Sequence, residues 1–209
     1  MGGLERIPPR IEIEKMLEKM KPHLSPKVEL EQYTTPADIA AELLFTASFI
    51  FDDVQGKSII DLGCGSGRLG IGAKILGAQS VVGIDIDPDA VRTAVNNAKE
   101  VIHTDNIYWI IGDISAIRGV FDTVIMNPSF GTKKRHMDVR FLSVSMTLSR
   151  VIYSIHKSSS RDFIIEYVRR RGFEVSVVLS SRIKIPRLFE FHRKPSKMVA
   201  VDMLRIIRS

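Results

Sequence analysis

From Lys57 onward the chain alternates short runs rich in β-branched residues with runs of helical periodicity. This alternation constrains the fold more than any other feature, because it is satisfied by a largely parallel sheet whose strands are joined by crossover helices. Ser58 to Leu62 is predicted as the first strand, Arg68 to Leu76 as its helix and Ser80 to Asp85 as the second strand. Asp87-Pro88 caps a helix carrying Ala90, Ala94 and Ala98; Ile107 to Ile111 and Phe121 to Met126 supply two more strands. Phe141 to Leu148 reads as helix and Val151 to Ile155 as the fifth strand. Ser159-Ser160-Arg161-Asp162 has the form of a capping box, opening a helix that ends at Gly172. Phe173 to Leu179 and Met198 to Ile207 follow with no helix between them, so they are expected to pair antiparallel. The expectation is an α/β fold: a seven-stranded, mostly parallel sheet with an antiparallel C-terminal strand and N-terminal helices.

Before this core, apolar residues within Ile11 to Met20 alternate with Glu and Lys as in a short amphipathic helix, which Pro22 and Pro26 end. Thr35-Pro36-Ala37-Asp38 offers a capping hydroxyl, a proline at the first helical position and a carboxylate three residues on, so a helix is predicted through Leu44 toward Phe51. With 209 residues and 44% apolar content, one substantial core is expected. Residues 1–209 are accordingly read as one domain, 1–52 forming an N-terminal helical extension and 53–209 the core. No run approaches the ~20 apolar residues of a membrane span, and Met1 to Arg10 lacks a signal peptide's apolar stretch. A cytoplasmic protein is expected. Cys64 is the single cysteine, which excludes an internal disulfide and a cysteine-based metal cage.

The net charge is +6 and the isoelectric point about 9.5, a balance that favours a polyanion such as RNA through counterion release. The cations cluster: Lys133, Lys134, Arg135 and Arg140 in one stretch, then Arg182, Lys184, Arg187, Arg193, Lys194, Lys197, Arg205 and Arg208 toward the end. Either an RNA-contacting surface or an ordinary solvated basic face accounts for them.

Asp61-Leu62-Gly63-Cys64-Gly65-Ser66-Gly67 falls where the first strand gives way to the first helix, the position at which open α/β sheets bind ligands. Asp85, ending the second strand, is placed to hydrogen-bond the ribose hydroxyls of an adenosine-containing cofactor. Gly65-Ser66-Gly67-Arg68-Leu69-Gly70 also satisfies the dinucleotide fingerprint. Asp61 shifts the balance toward S-adenosylmethionine, since a carboxylate suits an ammonium and sulfonium cofactor better than a pyrophosphate. Asp113 after the third strand either accepts a hydrogen bond from the cofactor's adenine or caps a helix from Ser115 onward.

Asn127-Pro128-Ser129-Phe130 follows the fourth strand on the same edge. The exocyclic amine of adenine is a poor nucleophile, and two neutral acceptors, the Asn127 side-chain oxygen and the Pro128 carbonyl, can hold its hydrogens and stabilise the charge that develops on nitrogen. Phe130 offers a face for an extruded base. No general base is evident, and transfer from a sulfonium does not demand one. His156 reads as a strand-end residue; His103, His136 and His192 have no metal-ligand spacing.

Together Leu30-Glu31-Gln32-Tyr33-Thr34-Thr35, Asp61-Leu62-Gly63-Cys64-Gly65, Val124-Ile125-Met126-Asn127-Pro128, Phe130-Gly131-Thr132-Lys133 and Tyr153-Ser154-Ile155-His156-Lys157-Ser158-Ser159 resemble the methyltransferase-like protein 5 family and its archaeal members, across nearly the whole chain. The resemblance implies a Rossmann-like class I methyltransferase making N6-methyladenosine in small-subunit ribosomal RNA. It implies that Gln32, Tyr33 and Thr35 close over S-adenosylmethionine, that Gly63 and Asp85 bind it, that Asp113 meets its adenine and that Asn127 to Phe130 hold the target. It further implies a small zinc-containing activator subunit, homologous to tRNA methyltransferase 112. The family pattern is Asn-Pro-Pro-Phe; here Ser129 replaces the second proline, which leaves the contacting groups in place but loosens the backbone and adds an N–H and a hydroxyl that need partners.

Four readings compete. RNA adenine-N6 methylation leads. Glutamine methylation in a protein would present the same planar amide to the same acceptors, although that class usually stacks on tyrosine. A catalytically impaired RNA-binding or ribosome-assembly module is favoured only by Ser129. A nicotinamide oxidoreductase lacks a hydride-transfer acid or base.

Overall fold

The computed structural model describes residues 8–23, 27, 33–102, 105–129, 137–186 and 196–209. Helices α1 (Arg10–Glu18) and α2 (Ala37–Phe49) precede β1 (Ser58–Leu62), α3 (Arg68–Ile75), β2 (Ser80–Asp85), α4 (Pro88–Val101) and β3 (Ile107–Ile111). Then come β4 (Thr123–Met126), α5 (Met137–Leu148), β5 (Val151–Lys157), α6 (Arg161–Arg169), β6 (Phe173–Pro186) and β7 (Ser196–Arg208). The sheet has seven strands in the order β3-β2-β1-β4-β5-β7-β6. β1 to β5 run parallel, and β7 lies between β5 and β6, antiparallel to both.

Strand alternation sends neighbouring residues to opposite faces and so builds two apolar layers. Ile59 and Ile125 join Ile13 and Leu17 of α1, Leu43 and Leu44 of α2 and Ile71 of α3 on one face. Ile60, Val124 and Met126 join Phe141 and Leu142 of α5 and Ile164 and Val168 of α6 on the other. The register brings the carboxyl ends of the central strands level, with Leu62 opposite both Ile84 and Met126.

The predicted strands and helices are all present, with four differences. Thr35 is not a helix cap: α2 starts behind Pro36 with no side-chain cap bond, because the Thr35 hydroxyl is engaged at the sheet edge. The capping box at Ser159 is likewise unrealised. Ser158–Ser160 form a 3₁₀ turn, α6 follows Ser160 with no side-chain cap bond, and the neighbouring Ser158 hydroxyl donates to Asp202 Oδ1 at 3.0 Å. Between β3 and β4 the chain makes only a short 3₁₀ turn, Ile114–Ala116, where a crossover helix would cover the sheet. Finally, β6 and β7 are longer than periodicity suggests. Their ladder continues from Arg182↔Ala200 to Pro186↔Ser196, beyond the last β5 pair, Lys157↔Val201.

Candidate active site

The loop after β1 turns through three glycines with positive φ, Gly63 at 69°, Gly65 at 54° and Gly67 at 83°, a conformation that disfavours side chains. Nothing lies within 4 Å of where a Gly65 Cβ would sit, whereas one at Gly63 would press on the Phe141 ring at 2.9 Å. The loop therefore presents bare main chain at the sheet's carboxyl edge. Asp61 lies beneath it, 1% exposed. Its Oδ2 accepts from the Gly70 N–H at 2.9 Å, and a Cβ at Gly70 would crowd the same oxygen at 3.2 Å. Asp61 Oδ1 is buried with no hydrogen-bond partner among the described residues. Burial raises the carboxyl to about 7; the Gly70 N–H opposes the shift and the nearby Asp85 adds to it. An ion-accepting oxygen held in this way suits an amine-bearing ligand, which would supply the missing donor.

Asp85 closes β2, with Oδ2 accepting from the Gly65 N–H at 2.9 Å and Oδ1 from the Asp87 N–H at 2.9 Å. It holds the glycine loop in shape, and each oxygen retains a second lone pair. Burial raises its pKa, with the two N–H donors acting against the shift. At Asp113 the capping alternative is realised: Oδ1 accepts from the Ser115 N–H at 2.8 Å and the Ser115 hydroxyl at 2.7 Å, and Arg140 pairs with the same oxygen. Arg140 first, then Ser115, holds its pKa down at about 2. It stands two residues beyond Ile111, the last β3 residue, which is paired with Asp85 at the end of β2.

Asn127 and Pro128 continue from β4, the strand beside β1. The Asn127 side chain has a partner at each end: Tyr33 donates its hydroxyl to Oδ1 at 2.9 Å, and Nδ2 donates to the Thr35 hydroxyl oxygen at 2.8 Å. Burial pushes the Tyr33 hydroxyl's pKa up, so it remains a donor. Pro128 is buried and Ser129 half-buried. Tyr33 and Thr35, expected over the cofactor, are thus brought onto Asn127. Gln32 and Phe130 lie outside the described residues, as do Lys133, Lys134 and Arg135, and His103, His136 and His192. His156 lies in β5, where its Nε2 meets the Ser154 hydroxyl at 2.7 Å; burial lowers its pKa to about 4. Among the described residues no group of His, Cys, Asp and Glu could hold a metal ion, and no helix is long and apolar enough to cross a membrane.

Sequence reasoning missed the residues that fasten the N-terminal segment to this edge. Buried Asp87 meets His23 Nε2 at 3.0 Å and Lys27 Nζ at 2.7 Å. Asn97 accepts from the Lys21 N–H and donates to the Lys21 and Ser66 carbonyls, each at 2.9 Å. Arg68 donates to the carbonyls of Thr35 and Met20 at 2.6 and 3.3 Å. Asn97 had a signal, an amide on the same helical face as Ala90, Ala94 and Ala98. Arg68 and Asp87 had none, because their partners are distant in sequence.

A strand order of 3-2-1-4-5-7-6, a positive-φ glycine loop over a buried carboxylate, and an Asn-Pro turn on the adjoining strand define an S-adenosylmethionine-dependent methyltransferase of the Rossmann-like class. Magnesium protoporphyrin IX methyltransferase from Synechocystis PCC 6803 with bound SAM shares this fold, with a TM-score of 0.64 at 18% identity over 93% of this chain and 90% of that one. The ribosomal protein L11 methyltransferase (PrmA) family matches residues 46–128. The rRNA N(6)-adenosine-methyltransferase Mettl5 of Drosophila melanogaster is 40% identical over 200 residues, covering 92% of this chain and 93% of its own. The crystal structure of PH1948 from Pyrococcus horikoshii superposes with a TM-score of 0.87 at 38% identity, over 95% of this chain and 96% of that one. The chain belongs to the METTL5 family of rRNA N(6)-adenosine-methyltransferases.

Proposed function

We propose that this S-adenosylmethionine-dependent RNA methyltransferase modifies an adenosine N6 in structured, small-subunit ribosomal RNA, with Asn127, Pro128 and Phe130 forming the base pocket. The observation that carries the reading is that the glycine loop and the Asn-Pro turn leave adjacent strands at one level, Leu62 opposite Met126. A cofactor over one and a base in the other would meet.

Asp61 Oδ1 would accept from the cofactor's ammonium, the open space at Gly65 would leave room for it, and Gly63, Asp85 and Asp113 would line the loop, ribose and adenine positions. All three bonds described at Asp113 end on Oδ1, which leaves Oδ2 for the adenine amine. Gln32, Tyr33 and Thr35 close this side from the N-terminal extension. S-adenosylmethionine supplies an electrophilic methyl group. The chain's own work is placement: the second lone pair of Asn127 Oδ1 and the Pro128 carbonyl accept the two N6 hydrogens, aim the nitrogen lone pair and stabilise its developing positive charge. The amine proton then leaves to water. The target is a loop or junction nucleotide, since a duplex would hide its base.

Residues 1–52 and 53–209 act as one methyltransferase domain, a reading supported by the packing of Ile13 and Leu17 with Ile71 and by the Asp87, Asn97 and Arg68 contacts. Exposed Arg182 and Lys184 lie on one face of the β6–β7 ribbon beside this edge, where they would meet phosphates. The zinc-containing activator, a tRNA methyltransferase 112 homologue, docks on the β3 edge. Without a crossover helix after β3, Tyr108, Ile110 and Ile111 are 55%, 38% and 56% exposed, a surface suited to burial by a partner. The enzyme works in the cytoplasm.

The test is transfer of labelled methyl from S-adenosylmethionine to deproteinised small-subunit RNA, with and without activator, followed by nucleoside analysis. Label in N6-methyladenosine, lost by at least about a hundredfold in Asn127→Ala while cofactor binding persists, supports the proposal. Label in protein, or full activity in the variant, refutes it.

A further inference from the structure

The two halves of the proposed site sit on different strands, and one half-buried cation joins them through the N-terminal segment. Arg68 opens α3 directly after Gly67. Its guanidinium reaches the Thr35 carbonyl at 2.6 Å and the Met20 carbonyl at 3.3 Å, so it bridges two points of the segment that are 15 residues apart in sequence (35 minus 20). Its Nε is buried without a hydrogen-bond partner, and no carboxylate lies within ion-pair distance among the described residues. Desolvation lowers its pKa, opposed from a distance by Glu18 and Asp38.

A cation desolvated for two main-chain carbonyls is a costly way to hold a surface segment. What it holds explains its use. Thr35 is the residue whose hydroxyl receives Asn127 Nδ2 at 2.8 Å, and Tyr33, two residues earlier, occupies Asn127 Oδ1. If the Thr35 main chain is released, the amide loses one of its two anchors and its plane can turn. An amide turned by half a rotation would present a donor where the N6 hydrogens need an acceptor.

We propose that Arg68 is a positioning residue for methyl transfer: by gripping the Thr35 carbonyl it fixes the Thr35 hydroxyl against Asn127, and so sets the orientation of the acceptor amide from the base of the cofactor loop. The inference rests on the reading of Asn127 as the N6 acceptor. It predicts that Arg68 acts through Thr35, an order of action that a merely structural arginine would not show.

The experiment is single-turnover methyl transfer to small-subunit RNA by the full chain, with activator, at cofactor and RNA concentrations that saturate every variant. Arg68→Lys keeps the charge but not the rigid two-pronged fork; Thr35→Val removes the hydroxyl at nearly constant volume. Each is expected to slow transfer about tenfold, the double variant no further than the slower single, and Thr35→Ser to restore the rate. Losses that multiply to about a hundredfold in the double variant, or an Arg68→Lys rate equal to wild type, overturn the proposal. If Arg68→Lys melts below assay temperature, Thr35→Val against Thr35→Ser decides: slow with Val and fast with Ser supports the relay, equal rates sink it. Wild-type enzyme that labels no RNA overturns the acceptor reading itself, a distinct failure.

Discussion

Asp61 shows how a single side chain can be legible in part. Its place before a glycine loop marks it as a ligand-facing carboxylate from the sequence. Its isolation is tertiary: one oxygen is taken by the Gly70 N–H and the other has no partner among the described residues. With the folded carboxyl raised to about 7, the apo-enzyme holds a proton at pH 6 that a bound cation would expel. Calorimetry at pH 6 in two buffers of different ionisation enthalpy should therefore show release of about one proton per S-adenosylmethionine bound. No proton release would remove Asp61 from the ammonium site. Asn127 and Pro128 were likewise readable, but their orientation was not, because Tyr33 and Thr35 reach them across more than ninety residues of chain.

At the scale of elements, the alternating pattern located every strand, because apolar periodicity reports which face is buried. Caps were less faithful: Thr35 was drawn off by Asn127, and the serine run before α6 forms a 3₁₀ turn with no side-chain cap bond. The missing helix between β3 and β4 has the larger consequence. It leaves the Tyr108–Ile110 face of an edge strand open, and a charge placed there should act on partner binding rather than on the core. Ile110→Lys is expected to weaken association with a tRNA methyltransferase 112 homologue at least about tenfold while thermal stability changes little, since the side chain is already 38% exposed. Co-purification of wild type and variant with the tagged activator reads this directly. Equal recovery would move the interface elsewhere.

Over the whole molecule, buried ionisable groups set how stability follows pH. His156 titrates near 4 when folded against about 6.5 in an unfolded chain. The unfolded state therefore takes up the proton first, and stability falls as pH drops from about 6.5 to about 4. Asp61 works in the opposite sense: its folded pKa is raised, so its contribution is fullest below the normal carboxylate range and is lost as pH rises through about 7. Comparing the unfolding free energy of wild type with His156→Gln isolates the first effect. The advantage of wild type should shrink by on the order of 3 kcal/mol between pH 7 and pH 4. A difference that stays flat would show that His156 is not held neutral.

What the sequence determined alone was local and periodic: the strands and most helices, the glycine loop with Asp61, the acids closing β2 and β3, and the Asn-Pro turn. Each is encoded within a few neighbouring residues, so no knowledge of the packed chain is needed to read it. Tertiary structure decided everything that depends on distant partners meeting. It placed Tyr33 and Thr35 on Asn127, set Arg68 between Met20 and Thr35, turned the apparent cap Thr35 to another use and left the β3 edge bare. The physical reason is common to all of these. A side chain's hydrogen-bond capacity is fixed by its type, but which partner fills it is settled only when folding removes water and brings the competing groups into contact.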